Sequence, residues 1–122
     1  MSWRSQRGAP APGQWLCSLE SVPDGGCSEV RDGPQDGAFT MLLYRRGADV
    51  TAYVNCCPHF SLPLNSRAGE FLLLSGERIM CAYHCAIFRL QDGYCVDGPA
   101  VGMGLDSVPV EIREGYVFMA SA

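Results

Sequence analysis

Four side chains in this sequence have the types and the spacing to bind a metal centre: Cys57, His59, Cys81 and His84. They form two groups, one at 57–59 and one at 81–84, and they include both histidines of the chain. Two thiolates and two imidazoles suit tetrahedral zinc or iron. Paired zinc ligands usually have at least two residues between them, whereas only Pro58 separates Cys57 from His59. That spacing favours two neighbouring metal ions, as in a 2Fe–2S cluster with two cysteines on one iron and two histidines on the other.

Both groups lie between predicted strands, so a sheet framework must present them as loops. Residues 49–55 alternate in hydrophobicity, and residues 38–44 before them also read as a strand. The turn at Gly47 makes these two strands a hairpin. Near the C-terminus, residues 108–113 and 116–119 repeat this pattern around a turn at 114–115.

The rest of the chain also reads as strands and turns. Residues 15–19 and 27–30 are strand candidates, while residues 31–37 are rich in glycine, proline and aspartate and predict a loop. No segment shows the apolar periodicity of a helix. We therefore predict an all-β fold, built as a small sandwich or barrel.

Composition limits the classes of function. The chain has 122 residues, 48% of them hydrophobic, and a net charge of −4, which indicates one globular domain without the basic stripe of a nucleic-acid-binding protein. Its apolar runs are far shorter than a membrane span, and residues 1–8 lack the apolar core of a signal peptide. We therefore expect a soluble, cytoplasmic protein that contacts no membrane. Seven cysteines in such a protein indicate metal binding rather than a disulfide scaffold.

Around the four side chains, the sequence resembles the Rieske family. The family pattern is Cys-x-His, a variable gap and Cys-x-x-His, and it matches residues 55–60 and 79–84. The segments 88–93 and 97–100 resemble the Phe-Asp-x-x-x-Gly and Gly-Pro-Ala sequences that follow in the family. The resemblance covers about residues 15–120, which places a flexible lead at 1–14 and the domain at 15–122.

The resemblance implies a cofactor, its ligands and a fold. One 2Fe–2S cluster would be held by Cys57 and Cys81 on one iron and by His59 and His84 on the other. The implied fold is an antiparallel β framework into which a small cluster-binding subdomain, about 55–92, is inserted.

Two differences from the high-potential respiratory members indicate which class of Rieske protein this chain resembles. Those members carry a serine and a tyrosine where this chain has Ala86 and Phe88, and a disulfide cysteine where it has Leu62. The chain is therefore similar to the low-potential ferredoxins that serve aromatic-ring dioxygenases. This similarity implies a one-electron carrier between a reductase and a terminal oxygenase. It does not imply an enzyme, because both histidines serve as ligands and no general base remains.

Two alternatives to this function stay open. One is a Rieske-fold accessory subunit of a larger reductase complex, such as nitrite reductase. The other is a structural zinc module.

The five remaining cysteines have simpler interpretations. Cys17, Cys27 and Cys95 are expected to be small buried hydrophobes. Cys56 and Cys85, which flank ligand positions, are either buried hydrophobes or a thiol pair beside the cluster.

Overall fold

The structure is a computed structural model that describes residues 11–32, 39–56, 64–65, 71–74, 77–81, 86–98 and 102–120. Within these residues the chain forms eleven strands: β1 (Trp15–Ser18), β2 (Cys27–Asp32), β3 (Phe39–Arg46), β4 (Asp49–Val54), β5 (Leu72–Leu74), β6 (Arg78–Met80), β7 (Ile87–Arg89), β8 (Cys95–Asp97), β9 (Ser107–Val108), β10 (Val110–Arg113) and β11 (Tyr116–Met119). One turn of 3-10 helix, Leu19–Ser21, follows β1. The predicted all-β fold is confirmed.

The strands form three antiparallel sheets. The first sheet has the order β1-β11-β10, the middle sheet β2-β3-β4-β9 and the third sheet β5-β6-β7-β8. The third sheet is inserted in sequence between β4 and β9 of the middle sheet. This arrangement matches the expected framework with an inserted subdomain.

The middle sheet packs on both faces, and its sequence alternates accordingly. On β3, Met41 and Leu43 belong to a core shared with the first sheet, whereas Leu42 and Tyr44 belong to a core shared with the third sheet. We call these two clusters the framework core and the inner core. Because both faces are covered, β3 shows a continuous apolar run, and its alternation separates one core from the other.

The predicted β3–β4 hairpin is confirmed, and β3 is longer than predicted. Arg45 and Arg46 continue the ladder by pairing with Val50 and Asp49. The turn needs the left-handed backbone of Gly47, whose φ is 59°.

Two details of the predicted strands are wrong. Arg31 and Asp32 do not begin a loop, because they pair with Thr40 and Phe39 at the end of β2. The segment 108–113 is not one strand. Val108 pairs with β4 in the middle sheet, and the chain switches to the first sheet after Pro109, which cannot donate a ladder hydrogen bond.

The boundaries of the domain and of the inserted subdomain remain predictions. Residues 1–10 and 33–38 lie outside the described residues. The N–H of Gly13 donates to the carbonyl oxygen of Met119 at 3.1 Å, and the N–H of Met119 donates to the carbonyl oxygen of Gln14 at 2.8 Å. The last two residues of the predicted lead are therefore hydrogen-bonded to β11. The third sheet continues to Asp97, beyond the expected end near residue 92.

Glu77 connects the third sheet to the middle sheet. Its carboxylate accepts hydrogen bonds from the Tyr44 hydroxyl at 2.6 Å and the Gln91 amide at 2.9 Å, and it pairs with Arg46 at 2.9 Å. Its carbonyl oxygen accepts the N–H of Leu90. The hydrogen bond from Tyr44 lowers the pKa of the carboxyl below its usual value. These contacts hold Glu77 at a φ of 58°, a conformation that non-glycine residues rarely adopt.

Two buried tyrosines predict a loss of stability at high pH. Burial raises the pKa of Tyr44 and of Tyr53 from 10 to about 12. Their hydroxyls donate to Glu77 and to the carbonyl oxygen of Leu90, and ionisation removes these donors. Because the pKa is raised in the folded state, this stabilisation is complete below pH 10 and is lost as the pH rises to about 12.

We therefore expect the free energy of unfolding to fall over that interval, in step with the ultraviolet absorbance of tyrosinate. Tyr53→Phe should be less stable at neutral pH and should show a shallower decline. A decline as steep as that of the wild type in the Tyr53→Phe protein would contradict this assignment.

Candidate metal centre

The second group of candidate ligands begins at the end of a strand in the third sheet. Cys81 directly follows β6 and is fully buried, at 0% exposure, in the inner core. Its N–H donates to the carbonyl oxygen of Ala86 at 2.8 Å. This hydrogen bond holds Cys81 and Ala86 next to each other, and the sequence places His84 between them.

The first group is bounded in a similar way, by a side chain. Asn55 directly follows β4, and its N–H donates to the carbonyl oxygen of Thr40 at 3.0 Å. Its side-chain oxygen Oδ1 accepts the N–H of Leu64 at 2.9 Å. The segment between these ends contains Cys57 and His59.

Of the four predicted ligands, the structure describes Cys81. Cys57, His59 and His84 lie outside the described residues. The four-ligand set therefore stays a prediction. Among the described residues, Asn55 and Cys81 precede the remaining candidate ligands in sequence, and both are buried and hydrogen-bonded at the ends of strands.

The two residues that replace the hydroxyl donors of high-potential members are both in the inner core. Ala86 and Phe88 are fully buried, and Phe88 pairs with Ile79 across β6 and β7. Neither side chain carries a donor for a hydrogen bond. Both side chains therefore belong to the same apolar cluster as Cys81.

Cys95 is buried in the inner core, as predicted. Cys27 and Cys17 are only partly buried, and they pack against the inner core and the framework core. Burial raises the pKa of the Cys27 thiol to about 12 and also raises that of Cys17. These groups are therefore neutral thiols near neutral pH, unlike the thiolates that bind metals.

Cys56 lies beside the first group and packs against the framework core. Burial, followed by the charge of Asp106, raises the pKa of its thiol. Cys85, its predicted partner in a thiol pair, lies outside the described residues, so that pair remains a prediction.

Sequence reasoning did not identify Asn55 or Asn65, which are the two buried polar residues of the described chain. One signal was present for Asn55. An asparagine at the end of an alternating strand, two positions before Cys57, is typical of a side chain that bonds to nearby backbone.

Comparison with known proteins identifies the family. Residues 13–110 match the family described as Rieske [2Fe-2S] domain. The chain is 26% identical over 105 residues to the 3-phenylpropionate/cinnamic acid dioxygenase ferredoxin subunit of Photorhabdus laumondii subsp. laumondii. That alignment covers 86% of this chain and 90% of the relative.

Solved structures show the same fold. The ferredoxin of carbazole 1,9a-dioxygenase from Nocardioides aromaticivorans IC177 matches 92% of this chain over 100% of its own length, with a TM-score of 0.68 and 19% identity. The terminal oxygenase of carbazole 1,9a-dioxygenase from the same organism matches 94% of the chain, with a TM-score of 0.71 and 24% identity. This chain spans 31% of the length of that oxygenase. Among the described residues, no helix is both long and apolar enough to cross a membrane.

Proposed function

The chain belongs to the family of Rieske 2Fe–2S domains, and on this basis we propose that it carries single electrons from a reductase to a terminal oxygenase. The observation that carries the proposal is the family match over residues 13–110, joined by the similarity to a dioxygenase ferredoxin subunit. The cofactor is one 2Fe–2S cluster of the Rieske type, which supplies reversible one-electron transfer. The protein is thus a component of an oxidoreductase system and not itself the catalyst.

The proposed ligands are Cys57 and Cys81 for one iron and His59 and His84 for the other. Two thiols and two imidazoles are the donors that a Rieske cluster requires. Cys81 fits this role in the structure, because it is fully buried directly after β6 and its N–H donates to the carbonyl oxygen of Ala86. The sequence places His84 three positions further along that segment.

The surroundings of Cys81 suit a site that gains and loses one electron. With two ferric ions, two sulfides and two thiolates, the oxidised site is neutral, and the reduced site carries one negative charge. The buried side chains of Ile79, Ala86 and Phe88 exclude water from this side of the site. A dry, well-packed environment reorganises little when the charge of the cluster changes, which favours rapid electron transfer.

The proposed partners are two proteins that bind in turn and for a short time. The net charge of −4 favours partners with a basic docking face, because long-range attraction raises the rate of association. The proposed compartment is the cytoplasm. The free thiols of Cys17, Cys27 and Cys95 support this, since oxidising compartments favour disulfides.

The proposal is tested by measuring the cluster content of the protein and its electron transfer with a reductase and an oxygenase. The purified protein should contain two irons and two sulfides per chain, and once reduced it should show the electron paramagnetic resonance (EPR) signal of a Rieske cluster. A dioxygenase reductase should reduce it, and the matching terminal oxygenase should reoxidise it. A colourless protein that contains zinc would refute the proposal, as would a protein that is stable only as a subunit of a larger reductase.

The apolar surroundings predict a low midpoint potential. Hydrogen bonds to cluster sulfurs raise the potential, and Ala86 and Phe88 supply no hydroxyl. We expect a midpoint near the low end of the Rieske range, at about −150 mV. Ala86→Ser should raise it.

The matched control for this experiment is Ala52→Ser. Ala52 is just as buried but belongs to the framework core. This variant should leave the potential unchanged while adding the same buried hydroxyl. A wild-type midpoint above zero, or equal shifts in the two variants, would contradict the prediction.

A further inference from the structure

The side chain of Asn55 bridges both ends of the segment that carries the first pair of proposed ligands. Asn55 is 5% exposed and directly follows β4. Its Oδ1 accepts the N–H of Leu64 at 2.9 Å, although nine positions separate the two residues. One amide group therefore holds Asn55 and Leu64, the two residues that flank the segment 56–63, at a fixed distance.

The same amide is held in place by the two hydrogen bonds that its NH₂ group donates. Nδ2 donates to Oδ1 of Asn65 at 2.8 Å and to Oε2 of Glu29 on β2 at 3.1 Å. Asn65 Nδ2 also approaches Glu29 Oε2, at 3.5 Å. Asn55 is thus fixed from the middle sheet on one side and from the end of the segment on the other.

The position demands an amide of this length. It requires one acceptor, for the N–H of Leu64, and two donors, for the side-chain oxygens of Asn65 and Glu29. An asparagine amide supplies the acceptor and both donors. A carboxylate of the same shape keeps the acceptor, loses both donors and places a second negative charge beside Glu29. A leucine of similar volume leaves the Leu64 N–H and the Asn65 oxygen without this partner, and such buried groups are costly to leave unpaired.

We propose that Asn55 is a positioning residue for the cluster: its amide holds the ends of the segment 56–63 at the spacing that lets Cys57 and His59 reach their two irons together. This inference rests on the proposed assignment of Cys57 and His59 as ligands. Asn55 touches neither residue through its described contacts and acts through the segment that they share. Residues that hydrogen-bond directly to metal ligands change metal affinity by about 10–100-fold when they are replaced, and for a residue that acts through the chain we expect the lower end of that range.

The test uses the cluster-loaded protein and a pair of reciprocal substitutions. Asn55→Asp should speed the loss of iron to an external chelator by about tenfold or more, and it should broaden the EPR signal of the reduced cluster. Adding Glu29→Gln restores a donor beside the new carboxylate and removes the charge repulsion. The double variant should return both the release rate and the EPR signal close to those of the wild type.

A matched control separates positioning from general stability. Tyr53→Phe removes another buried hydrogen bond, from the Tyr53 hydroxyl to the Leu90 carbonyl oxygen at 2.8 Å, in which neither Asn55 nor Leu64 takes part. It should lower the stability of the protein without changing the EPR signal. Glu29→Ala, at a partly exposed position on β2, is a milder variant that should speed iron release even if Asn55→Asp does not fold.

The outcomes are distinct. If Asn55→Asp loses stability but keeps the wild-type EPR signal and release rate, or if Glu29→Gln brings no recovery, Asn55 has only a structural role and the inference is overturned. If Asn55→Asp does not fold, an unchanged release rate in Glu29→Ala overturns it. If Cys57→Ser keeps two irons per chain, the ligand assignment itself is wrong and this inference falls with it.

Discussion

A Cys81→Ser variant is expected to purify as a folded protein without its 2Fe–2S cluster. Serine is nearly the same size as cysteine, so the inner core around this fully buried position should still pack. Its hydroxyl is a poor iron ligand, because metal binding at this position needs a thiolate. Iron and sulfide per chain, visible absorption and the EPR spectrum of the reduced protein measure the loss.

The matched control is Cys95→Ser in the same sheet. Cys95 is 2% exposed in the same inner core, and its thiol donates to the carbonyl oxygen of Asp97 at 3.1 Å, a contact that a hydroxyl can also make. This variant should keep the full cluster. Two irons and two sulfides per chain in the Cys81→Ser protein, or equal losses in the two variants, would show that Cys81 is not a ligand.

The second large effect is expected at Gly93, in the turn between β7 and β8. Its φ of 76° is left-handed, and a Cβ atom there would lie 2.7 Å from Cε1 of Tyr53. The Tyr53 ring cannot move away easily, because it is buried and its hydroxyl is bonded to Leu90. Adding the cost of a left-handed alanine to that of overpacking, we expect Gly93→Ala to lower the free energy of unfolding by about 2–5 kcal/mol.

Gly47→Ala isolates the backbone part of this cost. Gly47 has a similar φ of 59°, but no atom lies within 4 Å of the position where a Cβ would stand. This control should therefore lose about 1–2 kcal/mol. Urea unfolding of the two variants measures the difference, and equal losses would mean that Tyr53 yields to the added methyl group.

Gly93 also shows what sequence reasoning can and cannot supply. The sequence places this glycine at the end of the segment 88–93, which resembles the family pattern. The structural reason for the glycine is a ring forty positions earlier in the chain, on β4. Contacts between such distant positions leave no local pattern, so the sequence alone did not reveal this constraint.

The same limit explains which strands were predicted. The hairpins of β3–β4 and β10–β11 have four to eight residues per strand, enough for alternation to be visible. The four strands of the third sheet have three residues each, too few to establish a period. Their pairing depends on the ladder and on the inner core rather than on local preference.

The candidate site divides along similar lines. The types and the spacing of Cys57, His59, Cys81 and His84 were enough to predict a cluster, because the two candidate ligands of each group lie within three positions of each other in the sequence. The network around Asn55 was not predicted, since Glu29 lies 26 positions away in sequence. The residues that support a site depend on the fold far more than its ligands do.

The division into two cores has a consequence for the cluster-free form of the protein. The buried side chains of the framework core come from the first and middle sheets and from the Val22 region, and none of them is a proposed ligand. The inner core, in contrast, contains Cys81. Because its buried side chains include no proposed ligand, the framework core should pack in the same way whether or not a cluster is bound. Any difference in packing between the cluster-free and the loaded protein is therefore expected in the inner core, around Cys81.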